Sequence, residues 1–304
     1  SSGLVGYTGV YLHTHQFLVD LLSEGGRVSR GVLEALALGI PLREGMILYR
    51  LNPARIDGRS VKLEYNLSGE ELQSLGSLVN ETLSLLSNLS PRIYFNGGRG
   101  ILALEKTGFK PVSSSPFEDD PLGALPKLLQ DYVKEIALRN NGLTILPWGG
   151  GVFKTLSLRP KIRKLSILSN SPVAHGLAKI LKIKAHSIGG LDDMLNQALK
   201  LLKEGDVLIH FERPDEESHK RSHAGKISAI EEVDHVLEEL YQETRCRILL
   251  VIDHGASSIT GRHFRTKTPF LYAERPAEEA SRRFHERING EFVPAGRLLS
   301  LISR

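Results

Sequence analysis

Residues 207–254 read VLIHFERPDEESHKRSHAGKISAIEEVDHVLEELYQETRCRILLVIDH, and their order decides the fold class. Val207–Glu212 and Ile248–Asp253 are short apolar runs of the kind that make buried strands. Between them Ile227, Ile230, Val233, Leu237 and Leu240 recur at three- and four-residue steps, one helical stripe to lay on a sheet. The same alternation continues outward. Met46–Leu51, Leu143–Pro147, Leu165–Ser169 and Phe270–Ala273 read as strands, and Leu122–Asn140, Pro172–Leu181, Leu191–Lys203 and Pro276–Asn289 as amphipathic helices. Strands alternating with helices predict an α/β fold, a three-layer α/β/α sandwich with a mainly parallel sheet. Residues 61–115 break the rhythm. Ser68 and Glu71 form a capping-box pattern ahead of a helix over Gly69–Leu86, and two strands follow at Arg92–Phe95 and Ile101–Glu105. This reads as a small α+β domain at 61–115 inserted into a discontinuous core of 1–60 and 116–304.

Composition bounds the function. Of 304 residues, 41% are hydrophobic and 24% charged, ordinary globular values that exclude a disordered or coiled-coil chain. No apolar run approaches the ~18–20 residues of a membrane span. The single cysteine, Cys246, excludes a disulfide framework or a thiolate metal cluster within one chain. A net charge of +4 is compatible with a phosphorylated substrate but too small to argue for nucleic acid by itself. The start at Ser1-Ser2-Gly3 shows no export signal, so a cytoplasmic setting is the expectation.

The chemistry concentrates where the histidines do. Six of the eleven lie between His210 and His263, beside several carboxylates. Asp215 and His219 stand at i and i+4 just after an apolar strand, so a helix there would turn both toward one ion. Asp253 and His254 close the next strand, and adjacent residues at a strand end can address two ions. His263 follows nine residues later. Ligands gather beyond the carboxyl ends of parallel strands, where these residues fall. The donor set suits Mn²⁺ or Zn²⁺ better than Ca²⁺. The plain alternative for Arg213–His223 is a solvated, charged loop.

The order Asp215-Glu-Glu-Ser-His219, Asp253-His254-Gly-Ala-Ser and His263 resembles the archaeal-type cofactor-independent (2,3-bisphosphoglycerate-independent) phosphoglycerate mutases of the alkaline phosphatase superfamily. Ser29-Arg30-Gly31 through Gly39, Gly97-Gly98-Arg99, Ile145–Gly151 and Pro172–Gly176 resemble glycine-rich segments of the same family. The resemblance implies that Asp215, His219 and His263 hold one metal and that Asp253 and His254 serve another. It implies a serine nucleophile that carries the phosphoryl group between the neighbouring hydroxyls of glycerate. It also implies a substrate held by basic side chains, for which Arg30, Arg99 and His175 are the candidates here.

The chain departs from that pattern in places. Nothing before Val5 resembles the family's first strand with its Asp ligand. Counting back from Arg30-Gly31, the nucleophile position falls at about Tyr11 and a family histidine at His15; Thr14 supplies a hydroxyl after a three-residue shift. The plain alternative for Tyr11–His15 is a helix start whose apolar face continues through Phe17, Leu18, Leu21 and Leu22. Trp148 stands where the family carries Arg, and His175 where it carries Lys. Two other functions stay open on these grounds. One is a non-catalytic homologue binding RNA or a ribonucleoprotein through Arg159–Lys164 and Arg262–Lys267; the other is a metal-dependent phosphate-ester hydrolase with a single metal site.

Overall fold

A computed structural model describes residues 3–302 apart from 12, 59, 97, 106–108, 118, 156, 157, 245, 275–283, 285, 286 and 288. The helix expected over Pro276–Asn289 lies largely outside the described residues, as does Gly97. The fold class is α/β, and the chain divides into two compact units, 1–27 with 157–304 and 28–156.

In the first unit the strand Leu165–Leu168 is buried at every residue, Ser166 included, as a strand with a neighbour on each side and cover on both faces requires. It pairs in parallel with Lys184–His186 on one side and Asp206–Ile209 on the other. The helices Pro172–Leu181 and Leu191–Leu201 make the two crossovers. Pro172 opens the first of them, where a missing N–H costs nothing. The long helix His223–Thr244 buries Val236 and Leu240 with Met194, Ala198 and Leu201 against Leu168.

A second sheet in this unit runs Ile248–Val251, Thr268–Ala273, Gly3–Thr8 and Glu291–Phe292. Thr268–Ala273 is antiparallel to both neighbours, and Glu291–Phe292 is parallel to Gly3–Thr8. The extended parallel sheet expected from strand–helix alternation is therefore limited to three strands. The connection explains why. Between Val251 and Thr268 the described chain has no helix, only a hairpin of Gly255–Ala256 with His263–Phe264, and without a crossover the next strand returns antiparallel. The strand Gly3–Thr8 was not anticipated from sequence, and it carries no carboxylate.

The 28–156 unit is built on Ile47–Asp57. This strand pairs antiparallel with Arg99–Leu104 and Ser60–Leu63, and along most of its length with Leu143–Val152. The insertion expected at 61–115 is thus the middle of a larger unit, because Ile47–Asp57 and Leu143–Val152 share hydrogen bonds with its strands. The capping box at Ser68 and Glu71 forms in both halves. The helix Gly69–Glu81 then tightens into a 3₁₀ turn, Thr82–Leu89, where the Thr82 hydroxyl bonds back to Leu78 O at 2.7 Å. Helix Arg30–Ala37 lies so close to the sheet that a Cβ on Gly31 would meet Leu48 O at 2.4 Å. Only glycine fits there. No described helix is long and apolar enough to cross a membrane.

Candidate metal centre

Pro214 lies in the first turn of the helix Arg213–His219, which sets Asp215 and His219 one turn apart. His219 Nε2 lies 3.4 Å from Asp215 Oδ2. Beyond Ile248–Val251 the chain passes through Asp253 and His254, and the Gly255–Ala256 hairpin carries His263 back to the same place. His263 Nε2 is 3.0 Å from Asp215 Oδ1, 3.1 Å from His219 Nε2 and 3.1 Å from His254 Nε2. His254 Nε2 is in turn 3.3 Å from Asp215 Oδ1.

Three imidazole nitrogens and a carboxylate converge on one point. Each ring nitrogen offers one proton or one lone pair, so three at this spacing cannot all satisfy one another. His219 Nδ1 lies 2.9 Å from Gly261 O; donating there leaves Nε2 as the lone-pair side, the arrangement of a metal-binding histidine held from behind. Donor atoms of Asp215, His219 and His263 all lie within 4.8 Å of one another. The donor set fits a divalent cation.

Without an ion, the buried groups shift one another's protonation. Burial works to raise the Asp215 carboxyl, but hydrogen bonds from His219, His254 and His263 outweigh it and hold the group well below the usual carboxylate range. Burial would lower His254, yet Asp253 and Asp215 push it up to about 10. His263 moves the other way, lowered by burial and by the neighbouring His254 and His219 despite Asp215.

Asp253 joins this cluster to the amino-terminal helix. Its Oδ1 pairs with His254 Nδ1 at 2.9 Å, and its Oδ2 accepts from Thr14 Oγ1 at 2.6 Å. Burial would raise Asp253, but the adjacent His254 outweighs it and holds the carboxyl low, with help from His210 and the Thr14 hydroxyl. Thr14 opens the helix Thr14–Leu22, whose buried face includes Phe17, Leu18, Leu21 and Leu22. The helix start and the hydroxyl at the site are thus the same feature. Tyr11 goes elsewhere. It donates to Asp20 Oδ2 at 2.6 Å, and burial together with Asp20 pushes its hydroxyl above the usual range.

His15 stacks on His13 at 5.7 Å, and the His13 ring meets His263 edge-on at 5.7 Å. Sequence reasoning passed over His13, although the His-Thr-His alternation around Thr14 signals it. His210 was passed over too. Its Nδ1 lies 3.0 Å from Ser169 Oγ, and His175 Nε2 is 2.7 Å from Ser169 O, so His175 reaches the end of the Leu165–Leu168 strand. In the Arg159–Lys164 cluster, Lys161 Nζ is engaged internally by Asp20 O and Gly296 O at 2.5 and 2.8 Å.

The remaining basic candidates belong to the 28–156 unit. Arg30 Nε pairs with Glu34 Oε1 at 2.6 Å, and the buried Arg50 pairs with the same carboxylate. Burial would raise Glu34, but Arg50 and Arg30 outweigh it and keep it ionised below its usual range. Trp148 is buried, donates to Asn52 Oδ1 at 2.9 Å and lies under Arg30, whose Cζ is 4.8 Å from the ring centroid. At this position, where the resembling family carries Arg, an aromatic face takes up the cation instead. Arg99 is exposed at the start of its strand.

Residues 174–299 match the profile of the Metalloenzyme superfamily. They form a metalloenzyme-superfamily domain. Asp215, His219, Asp253, His254 and His263 all fall inside this metalloenzyme domain. Along most of its length the chain is also similar to a probable 2,3-bisphosphoglycerate-independent phosphoglycerate mutase of Thermus thermophilus, 22% identical over 86% of this chain and 71% of the relative. The 2,3-bisphosphoglycerate-independent phosphoglycerate mutase of Pyrobaculum islandicum is 23% identical over 80% of this chain and 71% of its own. The solved PH0037 protein of Pyrococcus horikoshii shares the fold, with a TM-score of 0.62 over 98% of this chain and 86% of that one at 16% identity. The metalloenzyme domain match leaves out Thr14, which reaches Asp253 only through folding.

Proposed function

We propose that the chain is a phosphoglycerate-mutase-like metalloenzyme that moves a phosphoryl group between the 3- and 2-hydroxyls of glycerate by way of a phosphothreonine at Thr14. The observation that carries this reading is the 2.6 Å bond from Thr14 Oγ1 to Asp253 Oδ2, beside the imidazole cluster. Asp215, His219 and His263 would hold one divalent ion, Mn²⁺ or Zn²⁺, and Asp253 with His254 would serve a second. Such ions, when bound, neutralise phosphoryl oxygens and make a nearby hydroxyl more acidic.

The chain's own groups do the rest. The Thr14 oxygen attacks phosphorus, and its proton passes to Asp253 Oδ2, which already accepts its hydrogen bond. The bond from phosphorus to the glycerate oxygen breaks, and that oxygen takes the proton held on Asp253. In the return half the neighbouring glycerate hydroxyl attacks the phosphothreonine, its proton goes to Asp253, and Thr14 recovers it. Arg30, Arg99 and His175 are the proposed holders of the phosphoglycerate, as positively charged or protonatable groups suited to carboxylate and phosphate.

The test is direct. The purified chain is incubated with 3-phosphoglycerate and Mn²⁺ while phosphorus NMR follows 2-phosphoglycerate, and quenched samples are examined for phosphate on Thr14. Interconversion with phosphate on Thr14 supports the reading. Release of inorganic phosphate without isomer would replace it with hydrolysis, and no turnover with any divalent ion would remove it.

A further inference from the structure

Ser169 is fully buried, and each of its polar atoms has a partner. Its N–H donates to His186 O at 3.0 Å, and its carbonyl accepts from His175 Nε2 at 2.7 Å. Its hydroxyl oxygen accepts from Ser171 N at 2.9 Å and lies 3.0 Å from His210 Nδ1. An amide N–H can only donate. The hydroxyl's own hydrogen, shut off from water, therefore has one acceptor among the described residues, the lone pair of His210 Nδ1. That bond fixes the tautomer. A neutral imidazole carries one N–H, and with Nδ1 accepting it sits on Nε2.

Nε2 is the open end of this chain of bonds. Among the described residues no group hydrogen-bonds it. His210 is half-buried, on the wall of a cavity that Asp215, Asp253 and His254 also line. The backbone places it there. His210 N donates to Leu168 O, which continues the parallel ladder between Asp206–Ile209 and Leu165–Leu168. Ser169 follows the carboxyl end of Leu165–Leu168, and Asp253 lies just past that of Ile248–Val251. Ligands of α/β sheets gather at such ends. His210 is also close enough to Asp253 for its positive charge, when it carries one, to help hold that carboxyl low. Asp253 in turn accepts the Thr14 hydroxyl at 2.6 Å.

The tautomer decides what this ring can do. A nitrogen that carries hydrogen has no lone pair for a metal, so His210 differs from His219, whose Nε2 is the lone-pair side. It can donate a hydrogen bond to an anion instead. When a phosphoryl group is transferred, negative charge spreads over its non-bridging oxygens. A donor fixed in place beforehand stabilises that charge without reorganising during the reaction. Asp253 only accepts while ionised, and the Thr14 hydroxyl is already committed to it, so neither can supply such a donor.

We propose that His210 is a further catalytic residue, whose Nε2–H donates to a non-bridging oxygen of the phosphoryl group as it passes to and from Thr14. Ser169 is the positioning residue that keeps the hydrogen on Nε2. No proton changes hands at His210. The inference rests on the phosphoryl-transfer reading above and adds a donor to it.

The first probe is inorganic phosphate, added to the Zn²⁺-loaded chain while imidazole nitrogen–proton NMR follows His210, whose signals are identified by their loss in His210→Gln. Before phosphate, Nε2 should be protonated and Nδ1 bare; as phosphate binds, the Nε2–H resonance should move downfield. Glycerate, which lacks the phosphoryl group, should leave it in place. In Ser169→Ala the hydrogen should divide between the two nitrogens. The second probe is turnover of 3-phosphoglycerate. His210→Ala should lower kcat by about 10²-fold, with KM and Zn²⁺ affinity each within ~3-fold of the parent. His210→Gln, whose amide carries both an acceptor and a donor, should return kcat to within about tenfold of the parent. A protonated Nδ1, an Nε2–H that ignores phosphate, unchanged kcat in His210→Ala, or Zn²⁺ affinity that falls along with its turnover would each overturn the proposal. A parent chain that shows the phosphate shift but does not interconvert the phosphoglycerates would overturn the mutase reading and support His210 as a donor to phosphate.

Discussion

Replacing Thr14 with Val keeps the shape of the side chain and removes its hydroxyl. In the structure that hydroxyl does one visible thing, donating to Asp253 Oδ2 at 2.6 Å. A hydrogen bond to a charged group contributes about 1.5–3 kcal/mol to stability. Asp253 retains 26% of its side-chain exposure, so water replaces part of the lost bond and the lower figure, about 1.5 kcal/mol, applies. For a chain of this length that is a Tm lower by roughly 3–6 °C. If positioning Asp253 were the hydroxyl's whole role, turnover would fall by only about tenfold, the rate equivalent of the same energy. A covalent phosphoryl carrier makes a different demand: without the oxygen no phosphoenzyme forms, and the loss should exceed ~10³-fold. The assay is interconversion of 3- and 2-phosphoglycerate under saturating Mn²⁺, with thermal unfolding in parallel. Thr14→Ser, which restores the oxygen, should return activity to within about tenfold of the parent. Turnover by Thr14→Val within tenfold of the parent, or phosphate still found on the variant protein, would refute the assignment of Thr14.

Three further outcomes are expected. His263→Ala removes the imidazole shared by Asp215, His219 and His254, and titration calorimetry with Mn²⁺ or Zn²⁺ should show affinity lower by at least ~100-fold with folding retained. His254, at about 10 in the folded chain against 6.5 ordinarily, binds its proton more tightly when folded, so metal-free stability contributed by it is full below pH 6.5 and lost as pH rises toward 10; thermal unfolding across that range should show the decline. The same proton must leave for a metal to bind, so affinity should weaken as pH falls. Gly31→Ala gains up to about 1 kcal/mol of helix propensity but drives a methyl into Leu48 O, and a net loss of about 1–2 kcal/mol in denaturant unfolding is expected.

Much of the site was legible because its grammar is local. The i, i+4 spacing of Asp215 and His219 became a shared helix face, and the adjacent Asp253 and His254 became two directions from one strand end. The capping box at Ser68 and Glu71 was legible for the same reason, being complete within four residues. Sheet order was not. Strand–helix alternation implies parallel neighbours, but the stretch after Val251 turns through a hairpin rather than a helix, and nothing in the apolar pattern of Phe270–Ala273 distinguishes the two returns. The extent of the 28–156 unit was hidden similarly, since Leu143–Val152 finds Ile47–Asp57 across about ninety residues of chain.

The sequence by itself determined the chemistry available: imidazole and carboxylate donors in one stretch, a single thiol, and a crowd of histidines at strand ends. It also determined the α/β class, through periodicity that any partner strand would have to respect. Which hydroxyl meets Asp253 was decided only by tertiary structure. Tyr11 and Thr14 are three residues apart, but the first precedes the helix and turns to Asp20, while the second opens it and faces a carboxylate 239 positions away. That Asp206–Ile209 and Ile248–Val251 stand at sheet edges was decided there too. Edge and centre strands share one apolar pattern, and only the pairing of backbone groups tells them apart.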